Sequence, residues 1–262
     1  MSKIIELDRT IIPACDVPFE IYQRALEASE GIEKVRAVKT GVAFLDIGLT
    51  TVVKVAHDVG KLVIYDHQKA GTDIPQSFPD VFMDAMVRAK VDAVILFPQA
   101  GPVTQYEWTK AAQDRDIPVI VGGEMTHPGY LEGGIIPDKY VNIFSEMGMQ
   151  SQVRGYIRDS APEDMYELAA RMGVTDFVVP GNKPDRIKAF KSLVEECGAE
   201  DPAFYSPGLV VQGGNLSEGA DAAGKRFHGI VGRGYLGDIK ETGRYNTKDE
   251  MRTAALELTS KL

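Results

Sequence analysis

The sequence is poor in the residues that build disulfide frameworks, multi-cysteine metal sites and membrane spans. Its 262 residues include two cysteines, four histidines and one tryptophan. Two cysteines are too few for a disulfide scaffold or a four-cysteine metal site, and such scarcity is typical of a reduced chain. No apolar run approaches the roughly 18 residues that a membrane span needs, and the first residues do not resemble a signal peptide. We therefore expect a cytoplasmic protein with no membrane partner.

Positive charge is also scarce. The chain has 29 Lys and Arg residues against 38 Asp and Glu residues, which gives a formal net charge of −9. Proteins that bind nucleic acids normally carry a basic patch or stripe, so this balance argues against a nucleic-acid partner. Any anionic ligand must be bound by a local site, because the field of the whole chain repels it.

Apolar runs of strand length alternate with longer segments of helical period along the chain. The predicted strands are Thr10–Cys15, Lys34–Val38, Leu62–Tyr65, Ala93–Phe97, Pro118–Val121, Asp176–Val179, Ala203–Tyr205 and Gly229–Val231. The predicted helices are Phe19–Ser29, Leu49–Val59, Pro79–Lys90, Gln105–Asp114, Glu163–Met172, Asp185–Glu196, Ser217–Gly224 and Asp249–Leu262. Continuous apolar strands are typical of a parallel sheet covered on both faces. The pattern predicts a single α/β domain over residues 1–262, a (β/α)8 TIM barrel, with a doubly wound sheet as the alternative.

Charged residues stand at the ends of the first three predicted strands. Asp16 follows the first strand and Lys39 the second, and the third leads into Asp66, Lys69 and Asp73. In a barrel the chemistry lies on the loops at the C-terminal ends of the strands, so we expect these side chains to meet. Carboxylates on either side of a lysine keep its ammonium charged. Such an array repels a substrate carboxylate and supplies a proton beside it, which is what decarboxylation and protonation of the resulting carbanion require.

Glycine-containing turns follow the fifth, seventh and eighth predicted strands. The turn after the fifth strand contains Thr126, whose hydroxyl can bind the edge of a planar heterocycle, although this segment alone is more typical of a simple turn. In (β/α)8 barrels the loops after strands seven and eight frequently form a phosphate site. Backbone N–H groups at glycines and a forked arginine side chain suit that role. The candidate residues of these two loops are Ser206, Pro207, Gln212, Gly213, Gly232 and Arg233.

Together these segments resemble the orotidine 5′-phosphate decarboxylase family. The matching segments occur in the family's order: Pro-Ala-Cys-Asp16-Val, Val-Lys39-Thr-Gly, Asp73-Ile-Pro, Glu-Met-Thr126-His-Pro-Gly, Ser206-Pro-Gly, Gln212-Gly-Gly and Gly-Arg233-Gly. The resemblance implies a (β/α)8 barrel that converts orotidine 5′-phosphate to UMP in pyrimidine biosynthesis. It also implies a carboxy-lyase that uses neither a metal nor an organic cofactor.

The resemblance assigns catalytic roles to the charged residues. Lys69 is similar to the acid that protonates the C6 carbanion, and Asp66 to the carboxylate that crowds the substrate carboxylate. Asp16 and Lys39 resemble the residues that hold the ribose hydroxyls and orient the charge array. Asp73 resembles an aspartate that family members contribute to the neighbouring subunit's site.

The resemblance also assigns binding roles and a partner. Ser77 stands where the family often has a threonine that reaches the same site across the interface, so a homodimer with shared active sites is implied. Thr126 stands where the family usually has a serine that touches the pyrimidine. Gln212, Gly232 and Arg233 resemble the residues that bind the phosphate.

The spacing around Lys69 departs from the family pattern. The family has Asp-x-Lys-x-x-Asp, whereas this chain has Asp66-x-x-Lys69-x-x-x-Asp73. In a regular strand one added residue turns a side chain to the opposite face. The charge array is therefore kept only if the chain forms a bulge or has already left the strand before Lys69. Gly71 favours a bulge. Otherwise the lysine is misplaced and the reaction differs. We interpret His67 as a turn or supporting residue rather than a catalytic partner.

Two other functions stay open at this point. The Mg²⁺-dependent 3-keto-L-gulonate 6-phosphate decarboxylases and hexulose 6-phosphate synthases of the same superfamily resemble this chain in the Asp/Lys region. They usually carry a glutamate at the position of Lys39, which favours the metal-free reaction here. The third possibility is a non-catalytic nucleotide-binding barrel in which the altered spacing has abolished the chemistry.

Overall fold

The computed structural model describes residues 3–67, 71–149, 153–210 and 213–262. Within these residues the strands are β1 (Arg9–Pro13), β2 (Ala37–Thr40), β3 (Leu62–Asp66), β4 (Ala93–Leu96), β5 (Val119–Gly122), β6 (Asp176–Val178), β7 (Ala203–Ser206) and β8 (Arg226–Val231). The helices are α1 (Phe19–Ala28), α2 (Leu49–Asp58), α3 (Phe78–Ala89), α4 (Pro102–Gln113), α5 (Asp138–Glu146), α6 (Ala161–Arg171), α7 (Pro184–Glu196), α8 (Leu216–Ala223), α9 (Arg233–Leu236), α10 (Ile239–Thr242) and α11 (Lys248–Thr259). A 3-10 helix spans Val42–Phe44.

The strands form one parallel sheet in the order β1-β8-β7-β6-β5-β4-β3-β2. Its two end strands, β1 and β2, face each other. The amide of Cys15 donates a hydrogen bond to the carbonyl of Lys39, and the amide of Ile11 donates one to Lys34, both at 2.8 Å. These bonds bring the ends of the sheet together into a nearly closed barrel. The predicted (β/α)8 architecture is therefore confirmed, and the doubly wound alternative is excluded.

Both faces of the strands are buried. Outward side chains such as Val38 and Phe177 pack against the helices, whereas inward side chains such as Ile12, Ile64 and Ile120 fill the barrel. Because neither face meets water, strands such as β4 and β5 are apolar runs without polar alternation.

Several helices begin at residues that suit a helix start. Pro102 and Pro184 are the first residues of α4 and α7, where a missing N–H costs nothing. Thr247 caps α11 in a capping box with Glu250. Among the described residues, no helix is long and apolar enough to cross a membrane.

A polar cluster lies inside the barrel toward the N-terminal ends of β6, β7 and β8. The hydroxyl of Tyr205 donates to Asp176 at 3.0 Å, and Nδ1 of His228 lies 2.8 Å from the hydroxyl of Thr10. The guanidinium of Arg226 lies 4.0 Å from Asp176. Asp176, Arg226 and His228 are buried. The cluster is thus at the end of the barrel opposite to the loops that follow the strands.

Two strands begin three residues away from their predicted start, whereas the other strand ends agree with the predicted ones within two residues. β2 covers Ala37–Thr40 rather than Lys34–Val38, because the amide of Val35 bonds to Ile32 in a turn and Lys39 pairs with β3. β8 begins at Arg226 rather than Gly229, since it carries buried polar side chains that an apolar run does not reveal. Helix α5 was also not predicted, and none of its residues is buried.

Candidate active site

A cavity of about 330 Å³ opens at the C-terminal ends of the strands. It is bounded by the ends of β1, β2 and β3 on one side and by the loops after β5, β7 and β8 on the other. Residues from distant parts of the chain meet here because all parallel strands end at the same mouth of the barrel. The predicted site residues that line this cavity are Asp16, Lys39, Asp66, Thr126, Pro207, Gly232 and Arg233.

An ammonium group between two carboxylates forms the charged side of the cavity. Nζ of Lys39 donates to Oδ2 of Asp66 at 2.8 Å and to Oδ2 of Asp16 at 3.0 Å. Lys39 is the third residue of β2, Asp66 ends β3, and Asp16 follows β1. Lys39 and Asp66 are buried, whereas about half of the Asp16 side chain is exposed. The charge array predicted from the strand ends is therefore present for these three residues.

The ion pairs decide the protonation state of Lys39. Burial lowers the pKa of Lys39, but the charges and hydrogen bonds of Asp66 and Asp16 outweigh it and raise the pKa above 10.5. Lys39 is therefore a fixed cation. Cys15 is the neighbouring thiol, and burial followed by the charge of Asp16 raises its pKa, so it stays a neutral thiol.

Glycines make room for the charged groups and for the apolar floor. A Cβ at Gly41 would lie 2.8 Å from Oδ1 of Asp16 and 2.8 Å from the carbonyl oxygen of Asp66. A Cβ at Gly122 would lie 2.3–2.9 Å from three atoms of the Phe97 ring. Both distances are shorter than real Cβ contacts, so a side chain at either position would displace its neighbour.

The apolar floor of the cavity escaped the sequence analysis. It is formed by inward-facing side chains near the ends of the strands, which include Ile95, Phe97, Val178 and Ile230. These residues belong to the predicted apolar runs, so their inward orientation at a strand end was the available signal. Together they give the cavity an apolar surface beside the charged groups.

A buried ion-pair cluster supports the loop that carries Thr126. Glu124 follows β5 and is 3% exposed. Its carboxylate accepts hydrogen bonds from Nζ of Lys183 and Nε of Arg186, both at 2.7 Å. Its amide donates to the hydroxyl of Tyr166 at 3.3 Å. Thr126 also borders a second cavity of about 570 Å³, which Lys183 and Arg186 line as well. The sequence analysis did not single out this cluster.

The side of the cavity formed by the loops after β7 and β8 holds only part of the set predicted to bind a phosphate. Pro207, Gly232 and Arg233 line it, together with the backbone of Gly208. Ser206 is fully buried outside the described lining, and its hydroxyl finds no hydrogen-bond partner among the described residues. Gly213 is exposed in the same loop and does not belong to the described lining, and Gln212 lies outside the described residues.

The loop after β3 carries three of the predicted site residues. β3 ends at Asp66, so the strand alternation ends before Lys69, which lies outside the described residues. Asp73 and Ser77 are not part of the described lining of this chain's cavity. Nδ1 of His67 lies 3.1 Å from the hydroxyl of Tyr65, away from the described lining.

Trp108 of α4 anchors the loop that carries Asp73. Its indole N–H donates to the backbone carbonyl of Asp73 at 3.2 Å, and the ring packs against Phe78 and Phe82 of α3. Trp108 is 1% exposed. The aromatic cluster therefore fixes the backbone at Asp73, a partly buried residue whose carboxylate accepts a hydrogen bond from the amide of Ile74 at 2.7 Å.

The charged side chains in the described lining of the cavity are two carboxylates and two cations, those of Asp16, Asp66, Lys39 and Arg233. Among the described residues, no group of three or more His, Cys, Asp or Glu side chains is placed to hold a metal ion. Asp16 and Asp66 instead share the ammonium of Lys39.

Known proteins with sequences similar to this chain share one name. The chain is 30% identical over 209 residues to an orotidine 5′-phosphate decarboxylase of Methanococcus maripaludis strain S2. The matched region covers 79% of this chain and 81% of that protein. It is 25% identical over 232 residues to the enzyme of the same name from Methanosarcina mazei, with coverage of 87% and 88%. No protein-family model matches the chain.

Solved structures match the fold over nearly the whole chain. One match is the crystal structure of orotidine 5′-monophosphate decarboxylase from Methanocaldococcus jannaschii complexed with the inhibitor BMP. It has a TM-score of 0.69 and 20% sequence identity, and the match covers 97% of this chain and 99% of the other chain. The enzyme from Pyrococcus horikoshii has a TM-score of 0.65 and 19% identity, with coverage of 96% and 98%. At these identities the structural matches establish the barrel fold.

Proposed function

Because the chain belongs to the orotidine 5′-phosphate decarboxylase family, we propose that it is a carboxy-lyase that converts orotidine 5′-phosphate to UMP and CO₂. The observation that carries the proposal is the Lys39 ammonium fixed between Asp16 and Asp66 at the mouth of the barrel. Asp66 is buried and turned into the cavity, where it would repel the carboxylate of a bound substrate. The reaction is a step of pyrimidine biosynthesis.

The chemistry requires the bond from C6 to the carboxylate carbon to break, with its electron pair left on C6. Electrostatic repulsion by Asp66 raises the energy of the bound carboxylate, and this repulsion is relieved as CO₂ departs. In our proposal the ammonium of Lys69 stabilises the developing carbanion and then donates its proton to C6. Lys39 holds Asp66 and Asp16 in place and, with Asp16, binds the ribose hydroxyls.

The other cavity walls suit the two ends of the nucleotide. The apolar floor that includes Ile95 and Phe97 is suited to the flat face of a pyrimidine, and the hydroxyl of Thr126 to its polar edge. Arg233 and the glycine-rich loops are suited to the phosphate. The proposed phosphate-binding residues are Ser206, Pro207, Gln212, Gly213, Gly232 and Arg233.

We further propose a homodimer with shared active sites. Ile74, Phe78 and Val81 are large apolar side chains that stand exposed in the segment that carries Asp73 and Ser77. Exposed apolar clusters of this kind mark protein–protein contacts, and a second copy of the chain would cover them. Asp73 and Ser77 would then reach the partner's cavity.

Two free cysteines bear on the compartment. Cys15 is buried, and Cys197 is partly buried and free. Unpaired thiols are typical of reducing compartments, and we propose the cytoplasm.

The decisive experiment follows the loss of absorbance as orotidine 5′-phosphate is converted, with and without EDTA. We expect turnover that EDTA leaves unchanged, and a loss of about 100-fold or more for Lys39→Ala. Lys54→Ala is the control, because Lys54 forms an exposed ion pair with Asp58 on α2, far from the cavity. Strong inhibition by EDTA would contradict the metal-free reaction, and UMP binding without turnover would indicate a non-catalytic barrel. Unchanged turnover in Lys69→Ala would remove Lys69 from the acid role.

Subunit mixing tests the shared site. Lys39→Ala and Asp73→Ala are each expected to be inactive. If Asp73 acts across the interface, a mixed dimer contains one site with both residues intact, and activity returns on mixing. If Asp73 acts within its own subunit, every site in the mixed dimer lacks one residue and mixing restores nothing.

A further inference from the structure

Arg233 stands between two cavities. It lines the 330 Å³ cavity of the candidate active site and a neighbouring cavity of about 380 Å³, which Asp238, Lys240 and Tyr245 also line. About half of the Arg233 side chain is exposed. Its Nη1 donates to Oδ2 of Asp238 at 3.0 Å, and this is its one ion pair within the described part of the chain.

Asp238 is itself held firmly. It precedes α10, its Oδ1 accepts a hydrogen bond from the amide of Lys240 at 3.0 Å, and its side chain is 11% exposed. Its backbone carbonyl accepts hydrogen bonds from the amide of Thr242 at 2.8 Å and from the hydroxyl of Thr242 at 2.9 Å. Burial raises the pKa of Asp238, but the hydrogen bond from Arg233 and the backbone amides lower it below its ordinary value, so it is ionised.

We infer that Asp238 is a positioning residue that holds the guanidinium of Arg233 for the substrate phosphate, an inference that rests on the proposed function. The bond to Asp238 uses one donor of Nη1 and leaves Nε and Nη2 for a forked contact with phosphate oxygens. An arginine side chain loses considerable rotamer freedom when it is fixed, and Asp238 imposes that loss before the substrate arrives. Arg233 thus meets the phosphate already oriented.

Competition between Asp238 and the substrate phosphate for Arg233 is the alternative effect of this ion pair, and it would change substrate affinity in the opposite direction. If Asp238 competed with the phosphate for Arg233, its removal would strengthen binding of the substrate. The two consequences are separable, because positioning predicts a weaker phosphate interaction in the variant and competition predicts a stronger one.

Asp238→Asn tests the inference, since the amide oxygen can still accept from Lys240 while the charge that holds Arg233 is lost. We expect kcat/KM for orotidine 5′-phosphate to fall by about 10- to 100-fold, mostly through KM. We expect kcat/KM for orotidine, which lacks the phosphate, to stay unchanged. Asp114→Asn is the matched control, because it breaks an exposed ion pair with Lys110 outside both cavities.

A double-mutant cycle with Arg233→Ala completes the test. If Asp238 acts through Arg233, Asp238→Asn adds no further loss in the Arg233→Ala background. Equal losses for both substrates would mean that Asp238 only supports the fold, and a gain with orotidine 5′-phosphate would mean competition; either result overturns the inference. Asp238→Glu, which restores the charge, should recover part of the activity and covers the case in which the asparagine variant is unstable.

Failure of the proposed function is recognisable separately. Calorimetric titration with UMP measures phosphate recognition without turnover. A wild-type chain that binds UMP but converts no substrate would refute the decarboxylase proposal and leave the Asp238 inference to be decided by UMP affinity. Equal UMP affinities in wild type and Asp238→Asn would refute the inference alone.

Discussion

Replacing His228 by asparagine should make the folded chain less sensitive to acid. His228 is buried in the polar cluster inside the barrel, and its Nδ1 lies 2.8 Å from the hydroxyl of Thr10. Its Nε2 has no hydrogen-bond partner among the described residues. Asparagine can place a polar atom near the Nδ1 position and keep the contact with Thr10, while it removes the titrating ring.

The size of the effect follows from the burial of His228. Burial, and then the charge of Arg226, lower the pKa of His228 from 6.5 to about 3. Between these two values the unfolded chain binds a proton that the folded chain does not, so the free energy of unfolding falls as the pH falls. The slope approaches about 1.4 kcal/mol per pH unit, and the loss between neutral pH and pH 5 amounts to about 2 kcal/mol.

Asp176 in the same cluster acts in the opposite direction. Burial raises the pKa of Asp176, although Thr175, Arg226 and Tyr205 each lower it. As the pH falls, a carboxyl group with a raised pKa takes up its proton in the folded chain at a higher pH than in the unfolded chain. It therefore adds to the free energy of unfolding at low pH, and this contribution is lost as the pH rises. Because Asp176 is present in both proteins, the difference between wild type and His228→Asn isolates the contribution of His228.

Urea unfolding followed by circular dichroism at several pH values from 7.5 to 5 measures that difference. Asparagine leaves a small cavity, and this lowers the free energy of unfolding of the variant by an amount that does not depend on pH. At neutral pH the variant should therefore be less stable than wild type. As the pH falls to 5, the wild-type chain should lose about 2 kcal/mol relative to the variant. Parallel pH profiles for wild type and His228→Asn would refute the assignment of a buried, neutral His228.

Two glycine substitutions should act through the neighbours that they displace. Gly41→Ala should push Asp16 away from Lys39 and lower kcat/KM by about 10- to 100-fold; an unchanged kcat/KM would show that Asp16 tolerates the shift. Gly122→Ala should displace the ring of Phe97 and lower the free energy of unfolding by about 1–3 kcal/mol, measured by urea unfolding. Phe97→Leu in the same chain should recover part of that loss, and no recovery would count against the predicted clash.

The barrel and the meeting of three of its five predicted charged residues were predictable because both are consequences of strand periodicity. Apolar runs indicated eight strands, and the residues at the ends of three of them indicated where Asp16, Lys39 and Asp66 would meet. The predicted second strand was placed too early, because Lys39 is a charged residue inside a strand. Its charge is tolerated in the barrel interior only because two carboxylates surround it.

Other features depend on contacts that have no local signal. The partners of Glu124 lie about sixty positions further along the chain, at Lys183 and Arg186. Arg226 and His228 lie before the predicted strand Gly229–Val231, yet they belong to β8 because the barrel interior provides them with polar neighbours. The roles of Lys69 and Asp73 depend on a loop and a partner subunit, and they stay predictions.

Trp108 gives the protein a natural optical reporter. It is the single tryptophan of the chain, so all indole emission comes from one place. Its N–H binds the carbonyl of Asp73, and its ring contacts Phe78, an exposed apolar residue of the proposed subunit contact. Because the indole is 1% exposed in the single chain, a shift of its emission to longer wavelengths would report loss of its contacts with Asp73 and Phe78. The packing of the loop that carries Asp73 can therefore be followed without a label.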